Sequence, residues 1–413
     1  MRPPSGTAVW ARRALLAVVL VGAVVIPSRA VSQQAQHCAG PQCRAPGSIL
    51  WTAGLPGSWL AEAGVTGTVP SLDAAYAASG GGLAIVGEGL EVTGFQLHTG
   101  IRVWQTTLTD APTGSSIVGV RAFASVVAVG VQPPAGQAPE RYEVMLSAAT
   151  GHVIRTYPAA AYGGAVAADG ASAVIVGPTA VTAYANSTGH VLWSRATGPP
   201  GQTWRVSGQY LYVGQAGSSS GVLLVRRITL SNGAVQVLRP PTDNAFPGTL
   251  SAVTDDVMLF AEGGGVYAYS GQTGALIWPP ASSTLELADA GSGTVYLASG
   301  NALSGVDVHT GAVLSRANLS VAGSLYWVAG GVALGLDQDA LGDAWGYDLG
   351  SHRVLWTSAG LPWPHFFTDL SGLGGSANPA DDVVLLASCA RIGATATAMG
   401  PACAQPQLAA VLI

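Results

Sequence analysis

Past residue 46 the chain alternates short apolar runs with clusters of Gly, Ser, Asp and Thr. The runs at 83–87, 126–130, 173–177, 211–214, 257–261, 295–300 and 332–335 are four to six residues long and bounded by small or turn-forming residues. That is strand chemistry, too short and too β-branched for helix. Further runs at 383–388 and 408–413 have the same character. No stretch outside the first 30 residues shows a 3.6-residue apolar period, so the pattern predicts an all-β chain.

A second element repeats in phase with these runs. Thr99-Gly100-Ile101-Arg102-Val103-Trp104, Thr188-Gly189-His190-Val191-Leu192-Trp193 and Thr273-Gly274-Ala275-Leu276-Ile277-Trp278 are full copies. Thr150-Gly151, Asn232-Gly233 and Thr310-Gly311 keep the glycine and lose the Trp. Ser351-His352-Arg353-Val354-Leu355-Trp356 keeps the Trp and loses the glycine, and Gly47-Ser48-Ile49-Leu50-Trp51 is an early copy. The register positions 47, 100, 151, 189, 233, 274, 311 and 352 lie 37 to 53 residues apart. The first Trp copy has no strand run before it, and the run at 383–388 has no Trp copy after it. Placed in one sheet, the two halves complete an eighth unit. Units of this length repeating around an axis predict an eight-bladed β-propeller of four-stranded antiparallel blades, with seven blades as the alternative. In this reading residues 49–51 form the outermost strand of the blade holding 383–388 and 408–412. Closure removes two bare strand edges.

The unit resembles the pyrroloquinoline-quinone (PQQ)-like propeller repeat, over about residues 46–413. The carriers of the resemblance are the apolar run ending in Gly, the Thr-Gly turn and the Trp at Trp51, Trp104, Trp193, Trp278 and Trp356. It implies that these five Trp are structural docking residues between blades. It does not imply one function, because the same propeller serves dehydrogenases, outer-membrane assembly scaffolds and exported proteins of other kinds. The dehydrogenases resembled hold PQQ in the central funnel with a Ca²⁺ bound by Glu, Asn and Asp, an Asp base and commonly a pair of adjacent cysteines. Here there is no Cys-Cys pair, and none of the seven glutamates (Glu62, Glu88, Glu91, Glu140, Glu143, Glu262, Glu286) stands beside an Asn. The innermost strands read as Gly, Ala, Ser, Val and Trp, and most acids fall in outer turns. We therefore expect no PQQ, no metal and no catalytic residues, but a funnel suited to an apolar segment or a peptide.

The N-terminus carries Arg12-Arg13, an apolar run at 14–26, Pro27, then Ser28-Arg29-Ala30. Thirteen apolar residues fall short of the roughly 20 that span a bilayer. Residues 1–30 read as a cleaved export signal or an uncleaved anchor, 31–45 as a linker with a Cys pair, and 46–413 as the propeller. The chain is thus expected to be exported to the extracellular space or cell envelope, touching the membrane only through an uncleaved N-terminal segment. Cysteines suit an oxidising compartment. Local pairs Cys38–Cys43 and Cys389–Cys403 are expected, with cross-pairing as the alternative.

Charge narrows the partners. Only 9% of the 413 residues are charged, all 17 basic residues are arginine, and the net charge is -5. Arg2, Arg12, Arg13 and Arg29 lie in the N-terminal segment, which leaves 13 arginines against 22 acids in the body. Nucleic-acid binding lacks its electrostatic footprint.

The remaining motifs read as turns before they read as sites. Residues 336–343, with Asp337, Asp339 and Asp343, resemble a calcium loop, but lack its terminal Glu and fall where a hairpin turn belongs. Asp255-Asp256 and Asp381-Asp382 precede strand runs as turns. His98, His152, His190 and His309 flank the Thr-Gly turns, and His352 stands in place of a glycine. Aromatic residues outside the docking series, Trp59, Trp204, Trp327, Trp363, Phe366 and Phe367, read either as packing between blades or as a binding rim. The expectation is an exported, monomeric, non-catalytic module for a protein or envelope partner. An enzyme of another type working in the funnel is the alternative.

Overall fold

The computed structural model describes residues 49–54, 59–60, 76–357 apart from short connecting stretches, 383–397 and 400–412. These lie in a compact unit spanning Ala45–Ile413. All regular secondary structure among them is β-strand. The strands form eight four-stranded sheets. Seven follow chain order, and we number them sheets 1 to 7: residues 76–107, 116–159, 164–196, 203–238, 249–282, 284–318 and 324–357. Pairing is antiparallel throughout. First strands of several successive sheets lie against one another, as Tyr76–Gly80 does on Ser116–Ala122 and Thr203–Ser207 on Thr249–Thr254. The first strands are therefore innermost and the fourth outermost.

Burial explains why each run occupies its place. Second strands are covered on both faces by neighbouring sheets, so they are apolar without alternation: Leu83–Glu88 and Val126–Gln132 are buried at nearly every position. Outer strands have one covered position in an otherwise exposed strand. In Arg102–Thr107 and Val191–Ala196 that position is Trp104 and Trp193.

The eighth sheet joins the two parts of the chain. Val383–Thr397 and Gly400–Leu412 form a long hairpin, and Ile49–Gly54 adds to the free edge of its second strand. Trp51 stands opposite Ala410, and Val383 opposite Leu412. Trp51, Val383 and Ala410 share a buried cluster with Ala84, Val86 and Leu97 of sheet 1. The N-terminal strand thus packs the eighth sheet against the first.

Three docking tryptophans work alike. Each indole N–H donates to a main-chain carbonyl in the next sheet: Trp51 to Leu97 at 2.6 Å, Trp104 to Ala148 at 2.7 Å and Trp278 to Val308 at 2.9 Å. The ring lies on the glycine of the next Thr-Gly turn. At Gly151 (φ +71°) a Cβ would stand 2.6 Å from the Trp104 ring. Positive φ and a flat aromatic neighbour both require glycine there.

Where the Trp is missing, other chemistry fills the seam. Arg155 occupies the docking position after Gly151 and donates through Nε to Asn186 O at 3.3 Å. Tyr157 donates to Asn186 Oδ1 at 3.0 Å and stacks on Tyr184. Between sheets 4 and 5 an ionic cluster adds to an apolar seam. Asp256 accepts from Tyr212 (2.7 Å), Arg227 (3.1 Å) and Gln272 (3.2 Å). Arg227 also stacks 3.5 Å over the Tyr210 ring. Burial, and then the bond to Asp256, push the Tyr212 phenol far above its ordinary range, so it remains a donor. Asp255 and Asp256 form a two-residue hairpin with φ of 45° and 60°. The turn expected there is present, with an added role for Asp256 across the seam.

Candidate functional site

In a propeller the inner strands line the central channel, the usual place for a ligand or partner segment. Sheet 3 contributes Gly164–Ala168, which carries nothing larger than Val166. Sheets 2 and 4, on either side, contribute arginines. Arg121 on Ser116–Ala122 donates through NH1 to Ala165 O at 2.8 Å. Its guanidinium carbon stands 5.0 Å from the ring centroid of Trp204 on Thr203–Ser207. Arg205, the next residue, donates through Nε to Ser251 O in sheet 5 at 2.6 Å and through NH1 to Trp204 O at 2.8 Å. Each arginine thereby caps a carbonyl on the neighbouring inner strand.

Behind Arg121 lies Glu143, only 1% exposed and ion-paired to Arg141 at 2.8 Å. Burial draws the Arg121 guanidinium below its ordinary value, Glu143 opposes this, and Arg141 adds to it. Burial acts the same way on Arg205. Both stay cationic, because a guanidinium starts so far above neutrality. Gly164 makes room for the cluster: a Cβ there would stand 2.7 Å from Arg121 NH1 and 2.8 Å from Glu143 Oε1.

These residues correct the expectation that the innermost strands hold only Gly, Ala, Ser, Val and Trp. The inner strand of sheet 6, Thr284–Asp289, also carries Glu286 and Asp289. The legible signal was a charged residue inside a strand run, in a chain with few charges.

The aromatic candidates separate. Trp204 lies on the inner strand of sheet 4 and Trp327 on that of sheet 7, Ser324–Ala329. Trp59 does not lie at an inner strand. Trp59–Leu60 pairs with Cys403 and Ala402, on the same edge as Ile49–Gly54. The long terminal hairpin offers that edge beyond the reach of Ile49–Gly54, and the chain returns to it. Trp363, Phe366 and Phe367 lie outside the described residues, as do Cys38, Cys43 and Asp381-Asp382. Cys389 stands opposite Pro406 and Cys403 opposite Ile392 in the terminal hairpin. The calcium-like segment is the connection between Val332–Asp337 and Asp343–Asp348, whose ends pair Asp337 with Asp343. Residues 338–342 lie outside the described residues. The Thr-Gly turns with His98, His152, His190 and His309 lead into outer strands, away from the channel.

The family model described as outer membrane protein assembly factor BamB matches residues 44–195 and 140–358. The chain belongs to this family. Its repeat is therefore of the PQQ-like kind, and the fold is a β-propeller. Among solved structures, BamB from Moraxella catarrhalis is 17% identical, with 71% of this chain and 97% of that one covered and a TM-score of 0.44. The C-terminal WD40 domain of Sif2 is 9% identical over 82% of this chain and 97% of that one, TM-score 0.50. A europium-containing methanol dehydrogenase is 11% identical over 89% and 93%, TM-score 0.51. The latter two share the fold. A search of curated proteins gives no match.

Proposed function

We propose that the chain is an exported, non-catalytic propeller that serves as a binding or scaffold module for a protein partner of the cell envelope. Its membership of the outer membrane assembly factor family carries this reading. The inner strands support it, since Arg121 donates to Ala165 O and stands against the Trp204 ring, setting a cation and an aromatic side by side. That is recognition chemistry. Export rests on the N-terminal pattern at 12–30. Among the described residues no helix is long and apolar enough to cross a membrane.

The chemistry of Arg121, Arg205 and Glu143, among the described residues, argues against the PQQ-and-calcium site of the dehydrogenases. Guanidiniums suit the carboxylates of an anion, those of PQQ included. They repel the divalent cation that must polarise the quinone. Glu143, the carboxylate beside them, is already committed to Arg141.

The test is photo-crosslinking in intact envelopes, with a benzophenone amino acid replacing Thr203 on an inner strand or Val313 on an outer one. The expected result is a discrete adduct with one envelope protein from at least one position. Adducts at neither position would contradict the scaffold reading.

A further inference from the structure

We propose that the outer edge of sheet 6, the strand Val313–Asn318, takes up an extended segment of a protein partner as a fifth strand, and that this segment carries aliphatic and acidic side chains. This rests on the binding-module reading and adds a contact outside the channel.

Three observations carry it. The first is where apolar surface stays uncovered. Twelve large aliphatic residues are exposed among the described residues, and every one lies on the outermost strand of a sheet or one residue before it. Val313 and Leu314 are 49% and 59% exposed. The second is charge. The body carries 22 acids against 13 arginines. Yet none of the eight outermost strands holds an acid, and five hold an arginine, Arg316 among them. The third is the backbone. Val313–Asn318 ends its sheet, pairing on one side with Ala302–Asp307. Among the described residues no strand pairs its other side, where a row of N–H and C=O groups faces outward.

Together these decide the class of occupant. An extended peptide satisfies the outward N–H and C=O groups. Lipid hydrocarbon offers them no partner, so burial of this edge in a bilayer is unfavourable. A second copy adding the same edge would bring its own Arg316 to a short strand that already holds one, and like charges across a strand pair repel. A nucleic acid would meet the repulsion of the whole acidic body. A segment alternating aliphatic and acidic residues covers Val313 and Leu314 and meets Arg316 with opposite charge.

Sheet 6 suits such a segment better than the other edges. Pro158 interrupts the edge of sheet 2, and Pro279 and Pro280 that of sheet 5, because proline has no N–H. Sheet 4 offers only four residues, and Ile49–Gly54 in sheet 8 carries no charge. Arg102 and Arg195, in sheets 1 and 3, already donate to Gln105 Oε1 and Gly233 O. In sheet 7 Val354 and Leu355 are less exposed than Val313 and Leu314. Arg316 is exposed. Asp307, the acid of the same hairpin, closes its turn by accepting from the Thr310 N–H and hydroxyl at 2.8 and 2.9 Å.

The experiment uses the full chain and a fluorescein-labelled ten-residue peptide of alternating valine and glutamate, read by anisotropy. The comparisons are the same peptide N-methylated at its valines and a valine–lysine peptide of equal length. The valine–glutamate peptide should bind, and each comparison at least about tenfold more weakly, one for want of N–H donors and the other for its charge. Arg316→Glu and Leu314→Asp should each weaken binding of the valine–glutamate peptide about tenfold, and Arg316→Glu should strengthen that of the valine–lysine peptide. Arg102→Glu, on the outer strand of sheet 1, should change neither. If Leu314→Asp does not fold, Arg316→Glu decides, because its side chain is exposed. Equal binding of the N-methylated peptide, unchanged binding by Arg316→Glu, or an equal loss in Arg102→Glu would each overturn the proposal. If this edge fails while crosslinking from Thr203 still yields a discrete adduct, the binding-module reading stands and only this contact is wrong.

Discussion

A chain lacking residues 31–53 should lose its single cooperative unfolding transition. The deletion removes most of Ile49–Gly54, and with it the partner of residues 407–411 on the outer edge of the terminal hairpin. It also removes Trp51, which is 9% exposed, donates to Leu97 O and packs between Val383, Ala410 and sheet 1. The eighth sheet is then left with a bare strand edge, and the first with an uncovered apolar face. Circular dichroism and calorimetry of the truncated chain should show a broad, early loss of structure. A melt superimposable on that of the full chain would show that the N-terminal strand does not hold the ring together.

Trp104→Ala should cost about 3–5 kcal/mol in denaturant unfolding, the usual range for truncating a buried aromatic. Trp104 is 8% exposed, fills the seam between sheets 1 and 2 and donates to Ala148 O at 2.7 Å. Trp104→Phe should cost less, about 1–2 kcal/mol, because a ring still covers Gly151 while the Ala148 carbonyl loses its donor. If both variants unfold like the parent chain, the ring is not a docking element. If they cost the same, the hydrogen bond and not the ring carries the seam.

The contrast between seams shows what can be read from such a chain. Trp104 and Gly151 were legible because two demands coincide: a flat ring needs a glycine beneath it, and the turn needs positive φ. That coincidence leaves a repeated signature. Arg155 with Asn186, and Asp256 with Tyr212 and Arg227, do the same work without leaving one. Their partners lie 29 to 44 residues away, and a lone Arg or Asp in a strand or turn looks like a solvated charge. The inner-strand arginines were missed for the same reason. Arg121 and Arg205 acquire meaning only when the ring sets Ala165, Trp204 and Ser251 beside them. The interlocking of the first Trp copy with the last strand run was visible because each half was incomplete alone. The placement of Trp59 was not, because nothing in the repeat announces how far the terminal hairpin extends past Ile49–Gly54.

The central claim is that the channel recognises a partner and does not perform quinone chemistry. Calorimetric titration of the full chain with PQQ, with and without Ca²⁺, joined to a dye-linked assay on alcohols and aldose sugars, tests it most directly. The account predicts no Ca²⁺-dependent PQQ binding and no turnover, because Arg121 and Arg205 repel the cation and Glu143 is held by Arg141. Stoichiometric, Ca²⁺-dependent PQQ binding accompanied by turnover would contradict it and make the protein a dehydrogenase.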